Sequence, residues 1–197
     1  MAGEYLLSAL RQALTTLGAL HIDMALMGGI AVAAWNHVRN TRDIDLLVGV
    51  RRSDADNLLQ CLTQAGFKLL RQPPFLTIGE SYILQSSFVP AGKFLDIRID
   101  LFLAESEYEQ LALSRRVEMR FPGLDDAVSI LSCEDLVLFK LSAGRILDRS
   151  DCAYLLRFNR DTLDFAYLRH WAEKLKLTNE LGEVSREAFG ESGPRLE

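Results

Sequence analysis

The stretch "NTRDIDLLVG", residues 40–49, places two aspartates one residue apart within a run of aliphatic residues. Successive side chains of a β-strand point to opposite faces of the sheet. A strand over residues 43–48 would therefore bury its aliphatic side chains and carry Asp43 and Asp45 together on the other face. Two carboxylates on one patch repel each other and are costly to bury, so the pattern indicates a bound cation, basic neighbours or open solvent.

A second stretch, "KFLDIRIDLFL" over residues 93–103, repeats the pattern of carboxylates on one face. Every second residue from Leu95 to Leu103 is aliphatic, which predicts a strand with one buried face. Asp96, Arg98 and Asp100 lie on the opposite face. Either aspartate could add a third carboxylate to the first pair, and Arg98 or a loop lysine could neutralise the other one.

Composition restricts the class of protein. The chain has 197 residues, of which 49% are hydrophobic and 25% charged, and this is typical of a folded chain with a real core. A net charge of −5 argues against a generally basic, nucleic-acid-binding surface, although a local patch could still bind phosphate. Three scattered cysteines suit a reducing compartment, and the amino-terminal residues lack a signal-peptide or membrane-span pattern. We therefore expect a cytoplasmic protein without a membrane partner.

Hydrophobic periodicity and turn residues predict α/β alternation followed by helices. The glycine pair at 28 and 29 separates a short strand from an apolar helix, Ser53 is a candidate N-cap, and Ser132 with Asp135 predicts a capping box. The predicted fold is α/β (α+β), with a short mixed sheet flanked by helices over residues 1–131 and a helical part with a short mobile tail over 132–197. The predicted helices are 5–17, 30–37, 53–66, 106–115, 132–141, 151–158, 162–175 and 179–189. The predicted strands are 22–27, 43–48, 93–103, 117–121 and 128–131, and loops and further strands are predicted over 67–89.

Met27-Gly28-Gly29, followed after thirteen residues by Asp43-Ile44-Asp45-Leu46, resembles the signature of the polymerase-beta-type nucleotidyltransferase superfamily. More specifically, "GGIAVAAWNHVRNTRDIDLL" (28–47) together with "EDLVLFKLSAGRILDRSD" (134–151) is similar to the bacterial nucleotidyltransferase group that includes toxins of the AbiEii and MenT type. The resemblance spans roughly residues 26–175. It implies the nucleotidyltransferase fold and Mg²⁺-dependent transfer of NMP from an NTP to an acceptor hydroxyl.

The resemblance also implies roles for particular residues, and general chemistry agrees with these roles. Hard carboxylate oxygens suit Mg²⁺, two ions of which would act with the NTP. Glycines permit close approach of the backbone to phosphates. The implied catalytic and metal-binding residues are Asp43, Asp45 and Asp100, the last favoured over Asp96 because "RIDLF" fits the third-aspartate strand of the family; the implied nucleotide-binding residues are Gly28, Gly29, Arg39, Thr41, Lys140, Arg145 and Asp148.

Each of these residue patterns also has a structural interpretation. Gly28-Gly29 alone could be a plain turn, and Arg39 could be a structural counter-charge to a carboxylate. The basic and acidic residues of 140–151 could form ion pairs on an exposed helix face. Lys140 lies among apolar helix residues, so its ammonium must either extend to solvent or meet a partner.

The acceptor remains open at the level of sequence. The first hypothesis is a toxin that modifies tRNA or protein and has an antitoxin partner. The alternatives are an enzyme with a small-molecule acceptor, as in the antibiotic-modifying nucleotidyltransferases, and a non-catalytic nucleotide-binding module of the same fold. Residues 71–92 include the loops in which we expect acceptor choice to be encoded.

Overall fold

A computed structural model describes residues 2–79 and 81–190. Its contacts divide the chain into two compact units, each made of two segments. Unit 1 comprises Met1–Ile30 and Asn40–Leu131, and unit 2 comprises Ala31–Arg39 and Ser132–Glu197. Along the chain, the boundaries between the two units therefore fall at 30–31, 39–40 and 131–132. The sequence predicted a single boundary, after residue 131. The mobile tail predicted for 190–197 lies, from residue 191 onward, outside the described residues.

The helices and strands follow the predicted alternation. The first part of the chain contains α1 (Ala2–Ala19), β1 (Met24–Met27), α2 (Gly28–Ala34), β2 (Ile44–Val48), a 3₁₀-helix (Arg52–Asp54), α3 (Asp56–Gln64), β3 (Lys68–Leu69), β4 (Phe75–Ile78), β5 (Ser81–Phe88), β6 (Ile97–Leu103), α4 (Glu107–Ser114), β7 (Val117–Arg120) and β8 (Ala127–Ile130). The second part contains α5 (Cys133–Ala143), α6 (Ile146–Phe158), α7 (Phe165–Lys174) and α8 (Thr178–Phe189).

The strands of unit 1 form one mixed sheet in the order β3-β5-β6-β2-β1-β8-β7, with β4 paired to β5. The pairs β2–β6 and β1–β8 are parallel, and the other pairs are antiparallel. Alternate residues of β6, from Ile97 to Leu103, are buried, as the period of two requires. Helices of unit 1 pack on β2, β3 and β6. The predicted fold class, a mixed α/β sheet with flanking helices, is confirmed.

The strand register brings four side chains into one row across the sheet. Met27 of β1 is opposite Asp45 of β2, and Asp45 is level with Asp100 of β6. Asp100 is in turn opposite Gln85 of β5. Residues that are directly opposite each other in neighbouring strands present their side chains to the same face. The row therefore joins two aspartates that are far apart in sequence.

Unit 2 is helical in its carboxy-terminal segment. α5 begins at the N-cap Ser132, whose Oγ accepts a hydrogen bond from the backbone N–H of Asp135 at 3.1 Å. The helix ends at Gly144, which has a φ of 65°, a left-handed conformation that suits glycine at a helix end. α5 packs against α6 and α7, and α8 packs against α6 and α7. The predicted Ser132 cap is thus present.

Several predicted boundaries differ from the structure. Ser53 lies in the 3₁₀-helix and does not cap α3, because the N-cap of α3 is Ala55, which makes no side-chain capping bond. The strand predicted from residue 93 begins only at Ile97. The helix predicted over 30–37 starts at Gly28, so the glycine pair begins the helix that it was expected to precede. Within residues 2–79 and 81–190, no helix is both long and apolar enough to span a membrane.

Candidate active site

The carboxylate of Asp45 lies directly against the backbone of Gly28. A Cβ atom placed on Gly28 would overlap the carboxylate, with only 2.6 Å to its Cγ and 2.8 Å to the Cβ of Asp45. Gly28 also has a φ of 62°, which side-chain-bearing residues rarely adopt. Both the conformation and the space at this position therefore require glycine. The turn after β1 therefore places the backbone of Gly28, which has no side chain, in contact with the carboxylate of Asp45.

Gly28→Ala should lower the free energy of unfolding by about 2 kcal/mol or more, because a left-handed conformation alone costs roughly 1–2 kcal/mol and the overlap with Asp45 adds to it. Gly79→Ala is the matched control, since Gly79 has a φ of 59° but nothing within 4 Å of its added Cβ. Urea denaturation of both variants should show the larger loss for Gly28→Ala. Equal losses would mean that contact with Asp45 is unimportant at Gly28.

Asp43 lies just before β2, two residues from Asp45, and its side chain is exposed. The hydroxyl of Thr41 donates a hydrogen bond to the backbone carbonyl of Asp43 at 3.3 Å. Thr41 thus helps to fix the segment that leads into β2. The structure places Gly28, Asp43 and Asp45 at the same end of the paired strands β1 and β2.

Asp100 is buried, with 8% of the residue exposed, and its carboxylate faces Arg98. The Nε and Nη2 of Arg98 donate to the two carboxylate oxygens of Asp100, each at 2.9 Å. Gln85 Nε2 lies 3.5 Å from Asp100 Oδ2. The hydrogen bond with Asp100 raises the pKa of Arg98, against the effect of burial, and the charges of Asp100, Asp43 and Asp45 raise it further. Arg98 is therefore a permanent cation among three carboxylates.

The donor set suits a hard divalent cation in type, since it consists of carboxylate oxygens from Asp43, Asp45 and Asp100. Within the part of the chain that the structure describes, no three acidic, histidine or cysteine side chains are gathered closely enough to hold a metal ion. The pairing of Asp100 with Arg98 is consistent with this, because it commits both oxygens of the third carboxylate. The strand register thus sets the backbones of Asp45 and Asp100 level with each other, as a carboxylate metal site requires. The Asp100 side chain, however, is paired with Arg98.

A second cluster, entirely within unit 2, surrounds two buried aspartates of α6. Asp148 is 1% exposed and Asp151 is 0% exposed. The Nζ of Lys140, itself 4% exposed, lies 2.9 Å from Asp148 Oδ1 and 2.8 Å from Asp151 Oδ2. Lys140 therefore meets buried partners, and the cluster is not the exposed helix face that was one interpretation of the sequence.

Two arginines add further positive charge to this cluster. Arg39 binds Asp151 with two nitrogens, Nε to Oδ1 at 3.0 Å and Nη2 to Oδ2 at 2.9 Å. Arg145 Nε donates to Asp148 Oδ2 at 2.6 Å. Burial raises the pKa of Asp148, but hydrogen bonds from Arg145 and Lys140 outweigh this and hold its pKa below the usual value. The Asp148 carboxylate is thus kept ionised in a buried position.

Sequence reasoning missed two partners of Asp100 and one partner of Asp151. The sequence offers Arg98 as a partner for Asp96, whereas Arg98 binds Asp100, and no sequence pattern indicates the contact of Gln85 with Asp100. His37 stacks on Tyr154, with ring centroids 3.8 Å apart, and its Nε2 lies 3.4 Å from Asp151 Oδ1. The spacing of Arg98 and Asp100 on one strand face contained the signal for their pairing, although Asp96 has the same spacing from Arg98.

Comparison with known proteins adds a family match that spans most of the chain. The model of the nucleotidyl transferase AbiEii toxin family, described as a type IV TA system, matches residues 12–194. No curated protein matches the chain.

Solved structures share the fold at low sequence identity. The antibiotic-resistance factor ANT(2'')-Ia is 14% identical with a TM-score of 0.61, covering 89% of this chain and 93% of its own. The lincosamide antibiotic adenylyltransferase LnuA, determined with lincomycin bound, is 15% identical with a TM-score of 0.51, covering 76% and 96%. JHP933 from Helicobacter pylori is 15% identical with a TM-score of 0.51, covering 94% and 81%. At these identities the likeness shows the nucleotidyltransferase fold alone.

Proposed function

Because the chain belongs to the AbiEii nucleotidyl transferase toxin family, we propose that it is a Mg²⁺-dependent enzyme that transfers NMP from an NTP to an acceptor hydroxyl. The observation that supports this most directly is the row that sets Asp45 level with Asp100 across β2 and β6, with Gly28 against Asp45. Hard oxygen donors next to a bare backbone turn suit a metal-bound phosphate.

Asp43, Asp45 and Asp100 are the residues that would hold the metal. When bound, Mg²⁺ would activate the attacking hydroxyl and stabilise the charge of the departing pyrophosphate. The chain itself contributes the arrangement: the parallel pairing of β2 with β6 fixes the level of two carboxylates, and Thr41 helps to position the backbone of the third. Orientation of reactants by fixed groups accounts for much of the rate increase in such transfers.

The backbone at Gly28 and Gly29 is the proposed contact for the NTP phosphates. Support comes from the absence of a side chain at Gly28, which lets the Asp45 carboxylate lie directly against the backbone. α2, which these glycines begin, has only seven residues, so close approach of the backbone is the stronger contribution here than the helix dipole. A bulkier residue would separate the phosphates from the carboxylate.

We further propose that Arg39, Lys140, Arg145 and Asp148 contribute to nucleotide binding through the charged cluster of unit 2. The family resemblance supports this role. Arg145 is the member most available to a ligand, because its side chain is 76% exposed, whereas the Lys140 side chain is 4% exposed. Lys140 and Asp148 would act mainly by holding Arg145 in place.

The family match supports a proposal for the acceptor and the biological context. We propose a toxin that modifies a macromolecular hydroxyl, on tRNA or protein, and that is neutralised by an antitoxin partner. A small-molecule acceptor is the second candidate, and the shared fold of ANT(2'')-Ia and LnuA supports testing it. A protein that binds nucleotide without turnover is the third.

One labelling experiment separates the three candidates. Purified protein would be incubated with Mg²⁺ and each α-labelled NTP in turn, with total tRNA, cell extract, aminoglycosides or lincomycin as acceptor. Label in tRNA or protein supports the toxin proposal, and label in an antibiotic supports the second candidate. Nucleotide binding without transfer to any acceptor would contradict both enzymatic proposals.

Asp100→Asn should impair turnover far more than NTP binding, whereas Asp96→Asn should change neither. Asp100 lies in the row with Asp45 and is buried, while Asp96 is exposed, precedes β6 and contacts Ser87 Oγ at 3.4 Å. Steady-state kinetics with calorimetric titration of NTP would measure both effects. The reverse order of the two variants would show that Asp96 is the third catalytic carboxylate.

A further inference from the structure

Arg98 has no role in the proposed chemistry, yet it binds the carboxylate on which that chemistry depends. We propose that Arg98 is an internal counter-ion of Asp100, which a divalent cation must displace, and that Arg98 thereby sets the metal affinity of the site. This inference rests on the proposed function, because it presupposes that Asp100 binds metal. The inference adds a different statement about the site, namely that Arg98 supplies its cation when no metal is bound.

The geometry of the pair supports competition for the same oxygens. Arg98 Nε and Nη2 each donate to a different oxygen of Asp100 at 2.9 Å, so the guanidinium uses both atoms that a metal would use. An arginine and a divalent cation cannot both take this two-point position on the carboxylate. Planar, two-point binding of a carboxylate is the geometry in which arginine is strongest.

The position of Arg98 permits release. Its side chain is 46% exposed, whereas that of Asp100 is 12% exposed. The guanidinium can therefore move into solvent while Asp100 stays in place on β6, and the incoming metal ion replaces it as the counter-charge of the buried carboxylate. Arg98 and Asp100 lie two residues apart on one strand face, so the exchange needs a change of side-chain rotamer and no change of backbone.

The charges around the pair favour replacement of Arg98 by a divalent cation. Asp43 and Asp45 also act on Arg98, and with Asp100 they form a set of three negative charges facing one positive charge. Without metal, Arg98 reduces the repulsion among these carboxylates. A divalent cation carries twice the charge of the Arg98 guanidinium, and this difference favours the exchange. The cost of breaking the pair between Arg98 and Asp100 nevertheless lowers the affinity of the site for the metal.

Calorimetric titration with Mn²⁺ in the absence of NTP would test this competition. Arg98→Met keeps an unbranched apolar side chain and removes the charge, and Arg98→Lys keeps the charge but loses two-point binding. Arg71→Met is the control, because Arg71 is an exposed arginine of the same unit and its substitution removes the same net charge. Asp45→Asn reports whether Mn²⁺ binds at the carboxylate row.

Arg98→Met should bind Mn²⁺ about tenfold more tightly than the wild type, since a charge-assisted hydrogen bond is worth at least about a factor of ten. Arg98→Lys should show a smaller gain and Arg71→Met almost none. In a ¹H–¹⁵N spectrum of the wild type, the Nε–H signal that Arg98→Met removes should shift on addition of Mg²⁺ as the pair separates.

Unchanged or weaker Mn²⁺ binding by Arg98→Met would overturn the inference. If Asp45→Asn still abolished Mn²⁺ binding in that case, the proposed metal-dependent function would stand without it. Failure of every variant and of the wild type to bind Mn²⁺ would overturn the metal proposal together with the inference. A gain by Arg71→Met equal to that of Arg98→Met would also overturn it, because the effect would then come from net charge alone.

Discussion

Asp45→Asn should lower the rate of NMP transfer by more than about a hundredfold, the upper range for losing a group that only supports a metal ligand. Asp45 lies level with Asp100 and against Gly28, so it is central to the proposed metal and phosphate positions. An amide keeps the shape and one oxygen but removes the charge that binds Mg²⁺. The transfer assay with labelled NTP would measure the loss.

The fold should survive this change. Removing one of three like charges relieves repulsion at the metal-free site, so the melting temperature should be unchanged or raised. Asp125→Asn, at an exposed aspartate of unit 1, is the control and should retain full activity. Transfer by Asp45→Asn at the wild-type rate would remove Asp45 from the catalytic assignment.

Lys140→Met should destabilise the protein by about 3 kcal/mol, toward the lower end of the cost of breaking a buried ion pair. The ammonium of Lys140 lies between Asp148 and Asp151, all three of which are almost fully buried. Methionine fills the space and leaves two carboxylates with less compensation. Arg39 and Arg145 still bind them, which keeps the cost from being larger. Chemical denaturation would measure the difference.

Lys174→Met is the matched control in unit 2. Lys174 is exposed and lies 4.6 Å from the ring centroid of Trp171, a contact whose loss costs about 1 kcal/mol or less. Equal destabilisation by the two variants would mean that the buried charges of α6 do not depend on Lys140. The predicted nucleotide role of Lys140 has its own measurement: NTP affinity of the folded Lys140→Met variant, which should fall if the cluster positions Arg145 for the nucleotide.

The sequence alone was sufficient to predict the faces of the strands. Alternation placed Asp45 and Asp100 each on a polar face opposite buried aliphatic residues, because the period of a strand is fixed by its backbone. It could not place the two aspartates level with each other. Register depends on which backbone groups pair between β2 and β6, and these strands are separated by two helices and three other strands.

The choice between two equivalent neighbours also needed the structure. Asp96 and Asp100 are both two residues from Arg98, so spacing gives Arg98 no preference. The start of β6 at Ile97 removes Asp96 from the strand and leaves Asp100 as the partner. Ser53 shows the same limitation, because a residue with good capping chemistry was followed by a 3₁₀ turn that moved the start of α3.

The buried cluster of unit 2 was predictable only as a set of charged residues. A lysine among apolar helix residues required a partner or an exit to solvent, and the sequence contained no means of choosing between them. The choice depends on how α5 packs against α6, which sets Lys140 beside Asp148 and Asp151. Tertiary packing therefore decided between an exposed charged face and a buried network.

The ion pair between Arg39 and Asp151 joins residues that are 112 positions apart in the chain. During synthesis, Arg39 leaves the ribosome long before Asp151 is made, and most of the residues added in between belong to unit 1. Closing so long a loop is slow relative to forming a local helix. Arg39 therefore lacks its native partner, Asp151, while the strands of the sheet are being synthesised. A nascent chain that ends before Asp151 has no complete unit 2, so helices translated after the sheet complete a structure whose first segment was translated before most of the sheet.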